Sequence, residues 1–384
     1  MRIARSLLAV VVTAGASAAF AQTGPLPEPG SIIRPPALPQ AQMRGDGPPP
    51  AATQFALQAD DPSFWSLISP KAQLVELARG FGLNEGPVWM PDGGQGYVLV
   101  SGLLDNVIYK VTPDKTVSVF MDFAGYTGTD PEHSGAQTRS GRSHVLLIGP
   151  SCTGRDPQGR LVWCADNDRM VMRLEKDGTR RVLSAGYQGK RFSGPNDISV
   201  APNGAIYLAD NDFGLRDAGK SNDKQMSGGV FLIKDGVTTK LIDAADLGGI
   251  ANGITLSPDG KMLYVSAGFS RMLRYPVKDD GTLGSGAEFT TGPGMGDGMK
   301  TDLAGNIYST NGGGPGMVRV TNPAGKQIGT INLPVYGGEP KRQICATNVA
   351  FGGPDGKTLF ITACDAVFSL RMYVAGLTPA QLKP

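Results

Sequence analysis

The feature that most constrains the fold of this chain is a spacing of eight residues between a polar side chain and a turn glycine, which occurs six times. Five of the six glycines lie in Pro-x-Gly, and an apolar segment typical of a β-strand follows each of them. The polar residues are Glu85, Ser151, Asn196, Asn252, Asp297 and Asn348, and the glycines are Gly93, Gly159, Gly204, Gly260, Gly305 and Gly356. Such long repeats indicate an architecture built from similar units.

Each unit continues beyond its hairpin with a third strand-like segment and, in most units, a fourth, so that the units recur at intervals of 45–66 residues. Four antiparallel strands per unit predict an all-β fold, a six-bladed β-propeller, rather than a sandwich or barrel. The last unit stops after its third strand, near Arg371, and a spare strand, Gln73–Leu77, precedes the first unit. We therefore expect the N-terminal strand to complete the last blade and close the ring.

The N-terminal segment differs in composition from the rest of the chain. Residues 1–21 combine a basic start, a short apolar run and Ala19-Phe20-Ala21, which is the pattern of a cleavable secretory signal peptide. Residues 22–63 are rich in proline and are expected to form an extended linker or surface strap. Residues 64–384 are expected to form the propeller domain. The protein is therefore predicted to be periplasmic or secreted.

The charge of the chain restricts its partners. The full chain has a formal net charge of +2, and removal of the signal peptide with its two arginines leaves a mature chain near neutrality. A neutral chain offers no electrostatic footprint for nucleic acid or for an anionic membrane. A small, neutral or mildly polar substrate and a monomeric state are expected instead.

The six polar residues are expected to converge, because the inner strand of each propeller unit lines the central channel. Their donors are two carboxylates, three amides and one hydroxyl. Such oxygen donors suit one hard divalent cation, Ca²⁺ first, with Zn²⁺, Mn²⁺ or Mg²⁺ as alternatives. Capping of strand ends by the same side chains is the other interpretation. Two carboxylates that face one another without a cation are costly, which favours the metal site.

Four ordered motifs resemble the senescence-marker-protein/gluconolactonase/luciferin-regenerating-enzyme family, most of all its secreted bacterial gluconolactonase branch. The motifs are Asn84-Glu85-Gly86-Pro87-Val88-Trp89, the segment from Gly189 to Asp197, Ala251-Asn252-Gly253 and Asp297-Gly298-Met299. The resemblance extends from about Leu74 to Arg371. It implies a six-bladed propeller that hydrolyses lactones with a divalent metal.

The resemblance also implies roles for individual residues. Glu85, Asn252 and Asp297 would bind the metal, and Asp297 would act as the general base. Asn196 would hold the substrate, a metal-bound water or the metal itself. The metal would polarise the lactone carbonyl while the carboxylate removes a proton from the attacking water. Substrate contacts are also expected from the remaining ring positions, Ser151 and Asn348.

Two segments depart from the family pattern where it borders the substrate pocket, namely Ser151-Cys152 and Asp210–Gly214. The sequence therefore does not specify the sugar. An insertion between the first two units, residues 127–144, is expected to be either a lid or a disordered surface loop. It carries both histidines, His133 and His144, which are expected to be surface residues, with a substrate contact at the channel mouth as the alternative.

Four cysteines in an exported chain suggest disulfides. Cys152 and Cys164 are cross-strand partners about the turn at residues 157–159, and Cys345 and Cys364 flank the last hairpin in a similar way. We expect these two pairs. Four buried thiols that act as small apolar residues are the alternative.

Three functions are compatible with the sequence. The first is a metal-dependent lactonase, and the second is an esterase or organophosphate hydrolase of the same fold. The third is a non-catalytic periplasmic binding propeller whose cation is purely structural. The pair Glu85 and Asp297 favours an enzyme, because a purely structural ion needs no carboxylate free to serve as a base.

Overall fold

A computed structural model describes residues 29, 32–33, 54–139, 142–215, 224–292, 296–335 and 345–377. These residues are mainly β-strand, with a short helix α1 (Pro131–Gly135) and 3-10 helices at Pro62–Ser66 and Ala244–Leu247. Within these ranges, no helix has both the length and the apolar character that a membrane span requires. The predicted signal peptide lies outside the described residues.

The strands follow one another along the chain with short connections. In order they are β1 (Ile32–Ile33), β2 (Ala56–Ala59), β3 (Leu74–Met90), β4 (Tyr97–Gly102), β5 (Val107–Val111), β6 (Val117–Met121), β7 (Ala136–Arg139), β8 (Arg142–Leu146), β9 (Thr153–Arg155), β10 (Leu161–Ala165), β11 (Met170–Leu174), β12 (Arg180–Ser184), β13 (Gly186–Tyr187), β14 (Lys190–Arg191), β15 (Pro195–Val200), β16 (Ile206–Asp210), β17 (Gly229–Lys234), β18 (Val237–Asp243), β19 (Ala251–Leu256), β20 (Met262–Ala267), β21 (Arg271–Pro276), β22 (Ala287–Thr291), β23 (Met299–Thr301), β24 (Ile307–Thr310), β25 (Met317–Thr321), β26 (Gln327–Asn332), β27 (Asn348–Gly352) and β28 (Thr358–Arg371).

The six predicted hairpins all form as antiparallel pairs, β3–β4, β9–β10, β15–β16, β19–β20, β23–β24 and β27–β28. Every one of the six turn glycines has a positive φ, between 69° and 86°. Other residues seldom adopt this conformation, so the turn geometry explains why glycine recurs at this position. In the first hairpin, Asp92 Oδ1 accepts hydrogen bonds of 2.9 Å from the backbone nitrogens of Gly94 and Gly96, which closes the turn.

The hairpins assemble into a propeller whose inner strands are neighbours in the order β3, β9, β15, β19, β23 and β27, with β27 again next to β3. Three of the principal sheets have the strand orders β15-β16-β17-β18, β19-β20-β21-β22 and β1-β12-β11-β10-β9. The fourth has the order β2-β26-β25-β24-β23. The largest sheet has six strands, in the order β27-β28-β3-β4-β5-β6.

The propeller prediction is therefore confirmed, but the described strands form five principal sheets rather than the six separate blades that were predicted. The reason is the 17-residue strand β3, which pairs with β28 through its first half and with β4 through its second half. Glycines at positions 80 and 82, with φ of +101° and +75°, bend this strand without ending it. The first and last units consequently share one sheet. Closure by an N-terminal strand occurs as expected, since Leu74 pairs with Leu370.

Two short parts of the predicted linker join the propeller as outer strands. β1 pairs with β12, and β2 pairs with β26. The 3-10 helix that follows β2 contributes Phe64 to the core, and Leu67 and Ile68 are buried beside it. These segments act as a strap across two sheets. The rest of residues 22–53, apart from residue 29, lies outside the described residues.

Two disulfides cross-link the inner hairpins, with the pairing expected from the sequence. Cys152 and Cys164 join the inner two strands of the second unit, with Cα atoms 5.0 Å apart. Cys345 and Cys364 join the start of the last hairpin to β28, with a Cα separation of 5.3 Å. All four cysteines are buried. The cross-links therefore fix the channel end of two units, where the polar ring residues also lie.

Candidate functional site

The candidate site is a cavity at one end of the central channel, enclosing about 790 Å³ including its open mouth. Four of the six predicted ring residues line it, and each comes from a different unit. Glu85 lies within β3, Asn196 and Asn252 lie near the starts of β15 and β19, and Asp297 precedes β23. The repeated position on the inner strand therefore does bring these side chains together.

The carboxylates of this cavity are close enough to perturb one another. Glu85 is 6% exposed, and its pKa is raised well above the ordinary value, first because it is buried. The nearby charges of Asp297, Asp197 and Asp166 raise the pKa of Glu85 further, as does a side-chain hydrogen bond with Asp297. A site that concentrates so much acidity disfavours the ionised form of Glu85 unless a positive charge is present.

The amide oxygens beside these carboxylates indicate where such a positive charge would lie. Asn196 Oδ1 and Asn252 Oδ1 are both buried, and neither accepts a hydrogen bond from the described residues. Buried acceptors without partners are rare in folded proteins. A hard cation bound by the two amide oxygens and by the carboxylates of Glu85 and Asp297 would satisfy them all. Within the described ranges, no group of three or more His, Cys, Asp or Glu side chains is arranged to hold a metal ion.

Local backbone geometry fixes the position of Asp297. Gly312, in the loop that follows β24, lies against it. A Cβ atom at Gly312 would lie 2.9 Å from Asp297 Oδ2. Gly312 also has a φ of +65°, which disfavours any larger residue there. The backbone nitrogen of Asp297 donates to the Thr310 oxygen at 3.2 Å. Gly312 and Thr310 thus pack closely against Asp297 at the cavity wall.

The other two ring residues do not line the cavity. Ser151 is fully buried and its Oγ donates to the backbone oxygen of Pro195 at 2.5 Å. Asn348 is 1% exposed, its Oδ1 accepts from the nitrogen of Val349 at 2.8 Å, and its amide fills the space beside Gly298. Ser151 thus bonds to the neighbouring inner strand, whereas Asn348 bonds within its own strand and packs against Gly298 of the preceding unit. The structure therefore brings four of the six predicted positions to one site and leaves these two in the wall.

Asp166, Phe213 and Phe269 also line the cavity, although none was among the predicted site residues. Phe213 does belong to the segment Asp210–Gly214, which the sequence placed at the border of the substrate pocket. Asp166 follows the second strand of the second unit, and Phe213 and Phe269 lie in loops of the next two units. The two aromatic rings stack on one another with centroids 5.6 Å apart. None of these three residues could be found by counting back from a turn glycine, because they lie at strand ends and in loops outside the inner strand. The two rings give the cavity an apolar surface, whereas Asp166 belongs to its acidic floor with Glu85 and Asp297.

The insertion between the first two units folds as α1 and the hairpin β7–β8, and it docks at the edge of the cavity. Gln137 Nε2 donates to the backbone oxygens of Phe213 and Leu215, at 2.7 and 2.9 Å. The described part of the insertion is thus an ordered wall that supports the aromatic loop. His133 is exposed on α1, and the side chain of His144 lies outside the described part of the chain.

Comparison with known proteins places this architecture among characterised relatives. Residues 83–365 match the family model of the SMP-30/Gluconolactonase/LRE-like region. The chain is 30% identical over 341 residues to a gluconolactonase of Zymomonas mobilis, covering 84% of this chain and 86% of that protein. It is 28% identical to a regucalcin of Xenopus laevis, over 76% of this chain and 86% of that protein. A gluconolactonase structure from Xanthomonas campestris shares the fold, with a TM-score of 0.66 at 24% identity over 87% of this chain and 99% of that chain.

Proposed function

Because the chain belongs to the SMP-30/gluconolactonase/LRE-like family, we propose that it is a lactonase that opens sugar lactones with the help of one divalent cation. The observation that carries the proposal is the group of oxygen atoms in the channel cavity that could bind a metal. Two amide oxygens, at Asn196 and Asn252, accept no hydrogen bond from the described residues and face the same space as Glu85 and Asp297. Oxygen donors of both kinds favour Ca²⁺, with Mn²⁺, Zn²⁺ and Mg²⁺ as further candidates.

The carboxylates of the cavity carry the chemical steps of this reaction. When bound, the cation would supply positive charge that polarises the lactone carbonyl and favours the ionised form of both carboxylates. Asp297 takes a proton from a water molecule as the water oxygen forms a bond with the carbonyl carbon. The bond from that carbon to the ring oxygen then breaks. Asp297 returns the proton to the departing ring oxygen, so that one water is consumed and one hydroxy acid is formed.

The remaining groups bind and orient the substrate. Asn196 and Asn252 place amide groups beside the carboxylates, and Asp166 offers an acceptor for a sugar hydroxyl. The stacked rings of Phe213 and Phe269 provide an apolar surface against which the carbon face of a sugar ring packs. The acidic floor suits a neutral lactone better than an anionic one.

The mechanism is tested by hydrolysis of glucono-1,5-lactone, measured with added Ca²⁺, Mn²⁺ or Zn²⁺ and again after treatment with EDTA. We expect activity to fall to background in chelator and to return with metal. Asp297→Ala should lose about 10²–10⁴-fold in kcat, the usual contribution of a general base. The matched control is Asp246→Asn, which changes an exposed carboxylate on the 3-10 helix Ala244–Leu247, outside the residues that line the cavity. Full activity in EDTA, or an active Asp297→Ala protein, would exclude this mechanism.

We also propose that the protein is exported to the periplasm or secreted. The N-terminal signal pattern supports this, as do two disulfides, which persist in oxidising compartments. The mature protein should begin at Gln22 and have the mass of a fully oxidised chain. Recovery of the protein from cells with Met1 still attached and four alkylatable thiols would contradict export.

A further inference from the structure

A second cavity lies at the opposite end of the central channel and encloses about 680 Å³ including its open mouth. Its walls come from the same inner strands as the metal-binding candidates, but from positions further along each strand. Ser199, Thr255 and Lys300 each lie three residues beyond a ring position. A strand rises about 3.3 Å per residue, so the two cavities are separated by roughly 10 Å along the channel.

Arg155, the last residue of β9, is the most unusual side chain of this second cavity. It is 7% exposed. Within the part of the chain that the structure describes, its guanidinium makes no hydrogen bond and no ion pair. Burial alone lowers the pKa of Arg155, without an acidic partner to offset it. A buried charge is normally paired, because removing it from water is costly.

Lys300 adds a second positive charge to the same cavity. Its Nζ donates to the backbone oxygen of Met299 at 2.9 Å and lies 3.6 Å from Asp197 Oδ1. This ion pair balances one of the two cations, so Arg155 still lacks a counter-charge. Hydroxyl groups complete the polar part of the wall, and Thr255 Oγ1 lies 3.2 Å from Thr301 Oγ1.

We propose that this cavity is a binding site for a small oxyanion, a carboxylate or a phosphate, held by Arg155 with support from Lys300 and the threonine hydroxyls. The planar guanidinium forms paired hydrogen bonds with two oxygens of such a group. An anion there would pair a buried cation that has no acidic partner among the described residues. The site is distinct from the acidic cavity at the other end of the channel, whose charge has the opposite sign.

The proposal is tested by calorimetric titration of the full-length mature protein with inorganic phosphate and, separately, with gluconate. The protein is first treated with EDTA, so that neither anion binds through a metal, and ionic strength is held constant. We expect saturable binding of at least one anion and at least a tenfold loss of affinity in Arg155→Met. Binding of both anions indicates a general oxyanion site, whereas binding of gluconate alone indicates a hydroxycarboxylate site.

Two comparisons separate a local site from a general charge effect. Arg173→Met removes an arginine that is paired with Glu175 on the outer part of the same unit, and it should bind anions as the wild type does. Arg155→Met should retain lactone hydrolysis, because Arg155 lies outside the acidic cavity. Absence of saturable binding to the wild type, or equal affinity in Arg155→Met, would overturn the proposal.

A second variant, Arg155→Lys, tests the proposal even if Arg155→Met does not fold. Arg155→Lys keeps the positive charge but loses the planar fork, and it should bind phosphate more weakly than the wild type while keeping its fold. Crystals of the wild type soaked in selenate should show an anomalous peak within hydrogen-bonding distance of Arg155. A peak there without saturable binding in solution would identify an adventitious ion only and would count against the proposal.

Discussion

Glu85 carries the strongest electrostatic constraint in the candidate site, because its raised pKa results from burial and from three neighbouring carboxylates. Replacement by glutamine keeps the size of the side chain and removes one negative charge. We expect Glu85→Gln to weaken binding of Ca²⁺ or Mn²⁺ by at least about tenfold, which corresponds to about 1.4 kcal/mol. Isothermal titration calorimetry of the metal-free protein measures this loss directly.

The same substitution should leave the propeller folded. Among the described residues Glu85 forms no ion pair, and burial together with the neighbouring carboxylates disfavours its ionised form, so the melting temperature of the metal-free variant should equal or exceed that of the wild type. Glu288→Gln, on the exposed face of β22, is the matched control and should bind metal normally. Unchanged metal affinity in Glu85→Gln would remove Glu85 from the site.

At the scale of single elements, the end of β16 is tied to the loop that leads into β15. Asp210 accepts hydrogen bonds from the backbone nitrogens of Ser193 and Gly194, at 3.0 and 2.8 Å. This contact sets the course of the chain just before Asn196 enters the cavity. Burial raises the pKa of Asp210 to about 6, even though both hydrogen bonds act in the other direction.

This raised pKa predicts a dependence of stability on pH. The folded protein retains the Asp210 proton up to about pH 6, whereas the unfolded chain releases it near pH 3.8. The free energy of unfolding should therefore fall as pH rises from about 4 to about 6, by an amount of the order of 3 kcal/mol for this group. Urea unfolding at several pH values, in buffer with Ca²⁺, measures the slope.

Asp210→Asn provides the test of that assignment. The variant should be less stable at every pH, since an amide can accept only one of the two hydrogen bonds, but its stability should change less between pH 4 and 6. Asp168, whose pKa burial also raises to about 6, is expected to account for part of the slope that remains. Parallel pH curves for Asp210→Asn and the wild type would show that Asp210 does not titrate as assigned.

Most of the inner hairpins could be predicted from the sequence, because a Pro-x-Gly turn places glycine at a positive φ and so indicates a hairpin. Counting back from Gly93, Gly204 or Gly260 found Glu85, Asn196 and Asn252 in the cavity. Equal spacing did not show which way each side chain points, and so Ser151 and Asn348 were placed in the site although both are buried behind the cavity wall. Asp166 carries no spacing signal at all, since its position depends on how the second strand ends.

At the scale of the whole molecule, the ring depends on pairing between β3 and β28. The sequence predicted this closure from a spare strand at one end and a missing strand at the other. It could not predict that β3 would run on into the first unit, because pairing through Gly80 and Gly82 depends on tertiary contacts rather than on local preference.

Two truncations differing only in the closing strand test its importance. A chain that begins at Gln73 keeps the residues that pair with β28, and one that begins at Gly80 loses all of them except Asn84. We expect the longer chain to unfold cooperatively at a reduced melting temperature. The shorter chain should lack a cooperative transition or form larger species, since it exposes a long strand edge. Circular dichroism melts and size-exclusion chromatography distinguish the two, and equal behaviour would refute the role of the closing strand.

The pairing of Leu74 with Leu370 has a consequence for how the chain can be connected. Facing residues of antiparallel strands have Cα atoms about 4.5–5.5 Å apart, so the two ends of the ring are adjacent in space. A short peptide could join them, and a circular permutant could then begin at any exposed hairpin turn, such as the one at Gly178. Because the ring is closed by strand pairing, the position of the chain termini within it can be changed without changing the fold.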